Sequence, residues 1–202
     1  MPAVIDFIFD FASPNGYFAH HGLKGVCERT GAEVNYIPCL LGGIFKSTGN
    51  QAPFVAFADV KGKNAYGMLE IQRFIKKHGL DKFKMTESFP LNTVMLQRGA
   101  LVAEQDGKLI DYIDACLASV WEDNKKMDDK DVFVAELTTK GFDGANILER
   151  TQDPAIKQKL IDNTAMAVER GAFGIPTLYV GDEMFFGKER LGQVEDEVRA
   201  QG

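Results

Sequence analysis

Residues 171–191, GAFGIPTLYVGDEMFFGKERL, decide the fold when they are taken together with residues 6–14, DFIFDFASP. In the first stretch a proline, Pro176, stands directly before a β-like run. The second stretch is a β-like run that ends in Ser13 and Pro14, which places a hydroxyl at a helix N-cap and a proline at the first helical position. Each stretch therefore marks a junction at the end of a predicted element, and the elements between them determine whether the junctions meet.

The N-terminal part predicts a strand–helix–strand unit. Residues Ala3–Phe11 alternate and are rich in β-branched and aromatic side chains, which favours a buried strand. The helix that starts at Pro14 is predicted to run to about Glu28 and to close near Gly31, and Glu33–Pro38 predicts a second strand. If the two strands are parallel, this is a right-handed βαβ unit.

The middle of the chain predicts helices rather than strands. After Leu41-Gly42-Gly43, we expect a loop that contains Gly49-Asn50 and Pro53. Beyond it, the apolar spacing predicts helices over Tyr66–His78, Leu91–Gln105, Lys108–Val120, Lys130–Lys140 and Asp143–Glu149. We therefore expect a helical insertion over residues 42–150, with Trp121 in its core.

The C-terminal part returns to an α/β pattern. Pro154–Arg170 predicts a helix, and Thr177–Val180 and Glu183–Phe186 predict two strands around a Gly-Asp hairpin turn. A last helix is expected at about Lys188–Ala200. The whole outline is β-α-β, a helical insertion, and then α-β-β-α.

Composition and charge exclude several classes of function. The chain has 202 residues, 45% of them hydrophobic and 26% charged, which is typical of a globular protein with a well-formed core. A net charge of −6 without a basic run argues against a nucleic-acid partner. No apolar stretch approaches the ~20 residues that cross a membrane, and the N-terminus lacks the basic region of a signal peptide. We expect a cytoplasmic protein that binds neither nucleic acid nor a membrane.

The cysteines and histidines limit the chemistry further. Cys27, Cys39 and Cys116 are odd in number and far apart, so we expect small buried side chains rather than a disulfide framework. Without a Cys-x-x-Cys pair, two-cysteine redox chemistry is excluded. His20 and His21 point about 100° apart on a helix, which is wrong for an i, i+4 metal pair, and no metal site is expected. An acid–base role for one of them and a structural role for both remain alternatives.

In this order, the segments resemble the kappa-class glutathione transferases and the 2-hydroxychromene-2-carboxylate isomerases, the DsbA-like branch of the thioredoxin superfamily. The shared pieces are FDFASP (9–14), STGN (47–50), KNAY (63–66), SVWEDN (119–124) and residues 171–191. The resemblance implies an α/β, thioredoxin-like fold with a large all-helical insertion. Residues 1–41 and 151–202 then form one discontinuous thioredoxin-like domain around the insertion at 42–150. Glutathione as cofactor, a small aromatic carboxylate as substrate and a homodimer are also implied.

The resemblance assigns the catalytic position to Ser13. Its hydroxyl at a helix N-terminus would donate to the glutathione sulfur and help the helix dipole to keep it ionised, although Ser13 alone also fits a plain N-cap. A cis Ile175–Pro176 bond would expose the backbone of Ile175 to pair with the cysteinyl backbone of glutathione. The alternative for Pro176 is an ordinary trans proline that opens an edge strand.

Four further residues are assigned to glutathione binding by the resemblance. Glu189 and Arg190 would hold the γ-glutamyl ammonium and a carboxylate, and solvated surface charges are the alternative. Many relatives carry Asp in place of Glu189, so its reach is longer by one methylene. Asn50 would give a polar contact, and Lys63 would meet the glycyl carboxylate, with Lys61 competing for that place.

The leading hypothesis is a glutathione-dependent isomerase of the hydroxychromene-carboxylate type, in which a thiolate adds reversibly to the substrate. A kappa-like glutathione transferase or peroxidase at the same site is the first alternative. A non-catalytic DsbA-like binding module is the second, and it predicts no glutathione affinity and tolerance of Ser13→Ala. The chain departs from the family at Asn15-Gly16, where relatives often carry aromatic or hydroxyl residues, and this departure concerns the substrate pocket.

Overall fold

The computed structural model describes residues 2–201 and arranges them around a four-stranded sheet. The strands are β1 (Val4–Phe9), β2 (Glu33–Pro38), β3 (Thr177–Val180) and β4 (Glu183–Phe186), in the order β2-β1-β3-β4. β1 and β2 are parallel, and β1–β3 and β3–β4 are antiparallel. A parallel pair needs a crossover, which helix α1 (Pro14–Thr30) supplies, whereas β3 and β4 need only a tight turn.

Most of the remaining chain is helical. Between β2 and β3 lie α2 (Leu41–Thr48), α3 (Pro53–Ala56), α4 (Lys63–His78), α5 (Val94–Gln105), α6 (Leu109–Trp121), α7 (Lys130–Thr139), α8 (Gly144–Arg150) and α9 (Pro154–Glu169). After β4, the 3-10 helix Lys188–Arg190 leads into α10 (Leu191–Gln201). The predicted thioredoxin-like α/β fold with a large helical insertion is therefore confirmed. The division into residues 1–41 and 151–202 around 42–150 stays a prediction.

The central strand β1 is covered on both faces, which explains its nearly continuous apolar run. Because successive side chains of a strand point to opposite faces, Ile5, Phe7 and Phe9 enter the larger core, which includes side chains of α1, α5 and α6. Ile8 faces the other way, into a smaller core that contains Ile44 of α2. The predicted buried strand is confirmed, although it ends at Phe9 rather than Phe11.

The predicted loop is confirmed at residues 49–52, but it is wrong for the residues before them, because Leu41–Thr48 form the helix α2. Its first N–H, that of Leu41, donates to the distant Asp10 carboxylate at 2.8 Å, so the cap comes from outside the local sequence. Gly43 is unfavourable for a helix in isolation. Here a Cβ would lie 2.9 Å from Cγ2 of Thr164 on α9, so the glycine allows the two helices to approach closely.

The environment of the cysteines matches most of the prediction. Cys39 and Cys116 are buried, whereas Cys27 is only partly so. Burial raises the pKa of the Cys39 and Cys116 thiols to about 12, which leaves them without thiolate character near neutral pH. Within residues 2–201, no helix is long and apolar enough to cross a bilayer. Across the same described range, no three His, Cys, Asp or Glu side chains are grouped to hold a metal ion.

Candidate thiolate-binding site

Ser13 stands at the start of α1 as the sequence predicts. Its backbone is extended (φ −97°, ψ 116°), and its Oγ accepts the Gly16 N–H at 3.2 Å, which makes it a true N-cap. Its own N–H donates to the carbonyl of Asp10 at 3.1 Å. Since the first N–H groups of a helix lack intrahelical partners and carry the positive end of the dipole, this position favours a negative atom.

The cis-proline loop meets Ser13 across 162 residues of sequence. The Ile175–Pro176 peptide is cis, and the Ser13 hydroxyl donates to the Ile175 carbonyl at 3.1 Å. A hydroxyl has a single proton, so Ser13 has to turn from this carbonyl before it can donate to a ligand sulfur. Among the residues that the structure describes, the Ile175 N–H has no hydrogen-bond acceptor. The two junctions predicted from sequence therefore form one site.

Asn50 is held beside the same loop. It follows α2 directly after Gly49, which takes φ +70° and ends the helix. The Asn50 Nδ2 donates to the carbonyl of Phe173 at 2.7 Å, two residues before Ile175. The side chain is exposed, and its contact with a ligand stays a prediction.

Glu189 and Arg190 follow a segment whose backbone is bonded to the cis-proline loop. The N–H of Gly187 donates to the carbonyl of Pro176 at 3.0 Å and fixes the start of the 3-10 helix against the loop. Both side chains are exposed. Within residues 2–201, Arg190 makes no ion pair, whereas the Glu189 carboxylate contacts the ammonium of Lys188. The predicted first turn of the last helix is thus a separate 3-10 helix. One of the two carboxylate oxygens of Glu189 is already bound to Lys188.

Lys63 and Lys61 are not linked to these residues by any contact that the described part of the chain shows. Lys63 is the first residue of α4, is exposed, and places its Nζ 5.1 Å from the centroid of the Phe57 ring. Lys61 is exposed in the preceding turn. The choice of Lys63 over Lys61 as a ligand contact stays a prediction.

Asp10 is a residue of the site that the sequence reasoning missed. It is 2% exposed, and its carboxylate accepts the N–H of Ala12 at 3.0 Å and that of Leu41 at 2.8 Å. It therefore ties the Ser13 segment to α2, the helix that carries Asn50 at its end. Burial raises the pKa of this carboxyl, and hydrogen bonds from Thr93, Ala12 and Leu41 oppose the rise. The sequence signal that could have identified it is the position of Asp10 between Phe9 and Phe11, where a carboxylate stands within an apolar run.

An aromatic layer extends from the Ser13 segment to the surface. The indole of Trp121 is buried, as predicted, and its Nε1 donates to the carbonyl of Phe11 at 3.0 Å. The ring centroids of Trp121 and Phe89 are 6.4 Å apart, and Phe89 contacts Phe54 of α3 at 5.5 Å. Because Phe54 is half exposed, this layer presents apolar surface to solvent at its outer end.

His20 has a structural position. It is buried, with Nδ1 2.8 Å from the Tyr36 hydroxyl and Nε2 2.6 Å from Oδ1 of Asp114 on α6. Its neighbour His21 packs edge-on against the Tyr17 ring, with centroids 4.5 Å apart. Burial lowers the pKa of both imidazoles. These contacts favour the structural alternative for the two histidines over an acid–base role.

Comparison with known proteins agrees with this geometry. A DsbA-like thioredoxin domain model matches residues 4–199. The chain is 27% identical over 202 residues to a 2-hydroxychromene-2-carboxylate isomerase of Pseudomonas sp. (strain C18), covering 96% of this chain and 90% of that one. It is 25% identical over 212 residues to glutathione S-transferase kappa 1 of Caenorhabditis elegans, covering 95% and 89%. A solved 2-hydroxychromene-2-carboxylate isomerase superposes with a TM-score of 0.83 at 24% identity, covering 98% and 95%. With the Ser13 and cis-proline junctions in place, the chain belongs to the DsbA-like thioredoxin family.

Proposed function

We propose that the protein is a glutathione-dependent isomerase of the 2-hydroxychromene-2-carboxylate type, active in the breakdown of aromatic compounds. The proposal rests above all on one contact, the 3.1 Å hydrogen bond between the Ser13 hydroxyl and the Ile175 carbonyl. This contact joins a helix N-terminus to a cis-proline loop without a cysteine at either place. A site of this kind favours a thiolate that arrives with a ligand.

The residues around Ser13 fit glutathione. The unpaired N–H of Ile175 is a donor for the cysteinyl backbone of a peptide that adds as a strand. Arg190, which is exposed, has a guanidinium suited to a carboxylate in two-point geometry. Asn50 and Glu189 add an amide and a carboxylate along the same loop. This donor-rich set matches a small peptide with two carboxylates and one ammonium.

When bound, glutathione supplies the thiolate that adds to an unsaturated aromatic substrate and later leaves, so that the intervening bond is free to rotate. The chain's part is electrostatic. Ser13, once turned from Ile175, and the first N–H groups of α1 stabilise negative charge on the sulfur and lower the pKa of the thiol. A thiol of lower pKa is also the better leaving group. Phe54 and Phe89 offer apolar surface for the aromatic ring of the substrate.

A kappa-like glutathione transferase or peroxidase is the second candidate, favoured by the similarity to a kappa transferase. It uses the same thiolate and differs only in the second substrate. Turnover of 2-hydroxychromene-2-carboxylate supports the isomerase. Turnover of an electrophilic chloroarene or a hydroperoxide alone supports the transferase or peroxidase. The homodimer and the cytoplasmic location stay predictions, and sedimentation of the purified protein tests the first.

Calorimetric titration with reduced glutathione tests the shared thiolate site. We expect binding with proton release near neutral pH in the wild type, with the release lost in Ser13→Ala. Ser119→Ala is the matched control, because Ser119 is also a buried serine but lies on α6, bonded to Glu136. It should bind like the wild type. No heat and no thermal shift at about millimolar glutathione would contradict both enzyme proposals and leave the non-catalytic binding module.

A further inference from the structure

Lys188 is the only lysine or arginine in the described residues 2–201 that is buried, with 4% of its side chain exposed. Its ammonium lies between two helices, 5.9 Å from the ring centroid of Phe18 on α1 and 5.8 Å from that of Phe74 on α4. Aromatic faces attract a cation, but they do not replace the hydrogen bonds that a buried ammonium loses with water. Lys188 therefore needs an anionic partner.

That partner is the neighbouring residue Glu189. Its Oε1 contacts the Lys188 ammonium, while 45% of the Glu189 side chain remains exposed. Its other oxygen, Oε2, folds back over Gly187, where a Cβ would lie only 3.0 Å away. Gly187 takes φ +97°, and its N–H is bonded to the carbonyl of Pro176 at 3.0 Å. One oxygen is thus anchored in the interior, and the other lies over backbone that is fixed to the cis-proline loop.

The other acid near Lys188 has its own partner. Glu70 on α4 hydrogen-bonds to Arg73 one turn further along the helix. Arg73 lowers the pKa of Glu70 most, and Lys188 adds a smaller effect in the same direction. Because Glu70 is engaged by Arg73, the Lys188 ammonium is left to Glu189.

We propose that Lys188 is a positioning residue: by holding one oxygen of Glu189, it presents the other to the α-ammonium of a γ-glutamyl thiol. The inference rests on the proposed glutathione site and adds how that site binds the γ-glutamyl ammonium. An exposed glutamate free of Lys188 would have to give up side-chain freedom when a ligand binds, whereas an anchored one has already done so. The extra methylene of Glu189, relative to Asp, gives it the length to serve both partners.

A chemical cycle tests this role. Glutathione and its des-amino analogue, glutaryl-cysteinyl-glycine, differ only in the ammonium, and both are titrated by calorimetry into wild type, Lys188→Met, Glu189→Gln and the double variant. We expect the wild type to prefer glutathione by about tenfold, the ratio that corresponds to about 1.4 kcal/mol. The preference should disappear in Glu189→Gln and fall below about threefold in Lys188→Met. The double variant should match Glu189→Gln, because Lys188 acts through Glu189.

A control variant and two contrary outcomes distinguish a failure of this inference from a failure of the proposed function. Lys159→Met removes an exposed lysine from α9 and should keep the wild-type preference. If the wild type binds glutathione but Lys188→Met keeps the full preference, or if the wild type shows none, the inference is wrong and the proposed function stands. If the wild type binds neither ligand, the proposed function itself fails. Thermal melts verify folding, and Lys188→Gln, judged by the same criterion, replaces Lys188→Met should that variant not fold.

Discussion

Asp10 gives the sharpest test of how the Ser13 segment is held. Its two carboxylate oxygens accept the N–H groups of Ala12 and Leu41, and the group is almost completely buried. The amide of Asp10→Asn has one oxygen, so one of these N–H groups then faces an NH2. An unpaired buried donor costs about 1–3 kcal/mol, and we expect a loss of that size in the free energy of unfolding.

The pH dependence of this loss follows from the direction of the shift. Burial raises the pKa of Asp10 above its ordinary value of 3.8, so the folded protein retains a proton that the unfolded chain has released. Wild-type stability from this group is therefore complete below the unfolded pKa and falls as pH rises through the folded one. Asp10→Asn has no such proton. Its deficit should accordingly be larger at about pH 4, close to the unfolded pKa, than at about pH 8.

Urea unfolding of both proteins at the two pH values measures the deficit. Asp153→Asn is the matched control, because Asp153 is the exposed N-cap of α9 and accepts the Ala155 N–H at 2.8 Å. Asparagine caps a helix about as well as aspartate, so this change should cost less than about 0.5 kcal/mol. A deficit for Asp10→Asn that grows toward pH 8, or a variant as stable as the wild type, would refute the reasoning.

Two further predictions concern the elements around the site. Burial lowers the pKa of His21 to about 4. The free energy of unfolding should therefore fall as the pH drops from about 6.5 to about 4, by about 1–3 kcal/mol for a partly buried group. In urea titrations, His21→Gln should lack this part of the acid sensitivity. Trp121→Phe deletes the indole N–H that is bonded to the Phe11 carbonyl and leaves a small void. This change should lower the free energy of unfolding by about 2–4 kcal/mol. A shift in the urea midpoint worth less than about 1 kcal/mol would contradict the assigned bond.

The elements that the sequence predicted well are those with local causes. β2, β3 and β4 have the predicted limits at both ends, because apolar alternation and a Gly-Asp turn are contained within a few residues. The N-cap at Ser13 is equally local, since it needs only a hydroxyl before Pro14. α2 was missed for the opposite reason: its first N–H is bonded to Asp10 and its Gly43 fits against α9, and neither partner is near in sequence.

The candidate site shows the same division. That Ser13 and Ile175 lie together was expected only through a family resemblance, because no local pattern joins residues 162 positions apart. The contact of Asn50 with Phe173 is another long-range pairing. The burial of Lys188 was not foreseen, since a Lys-Glu-Arg run is typical of a solvated surface. It depends on aromatic rings from two other helices, which only the packed structure brings to it.

The acidity of the chain does not argue against an anionic ligand at this site. A net charge of −6 is spread over the whole surface, and at physiological salt such charges are screened beyond about 8 Å. In the proposed site the ligand meets a local set of donors: the first N–H groups of α1, the unpaired N–H of Ile175, and the guanidinium of Arg190. The Glu189 carboxylate, proposed for the ammonium of the ligand, is the anion among the proposed ligand contacts. Since more distant surface charges are screened, the potential at the site is set by these immediate groups rather than by net charge. Rising salt should therefore weaken glutathione binding only modestly.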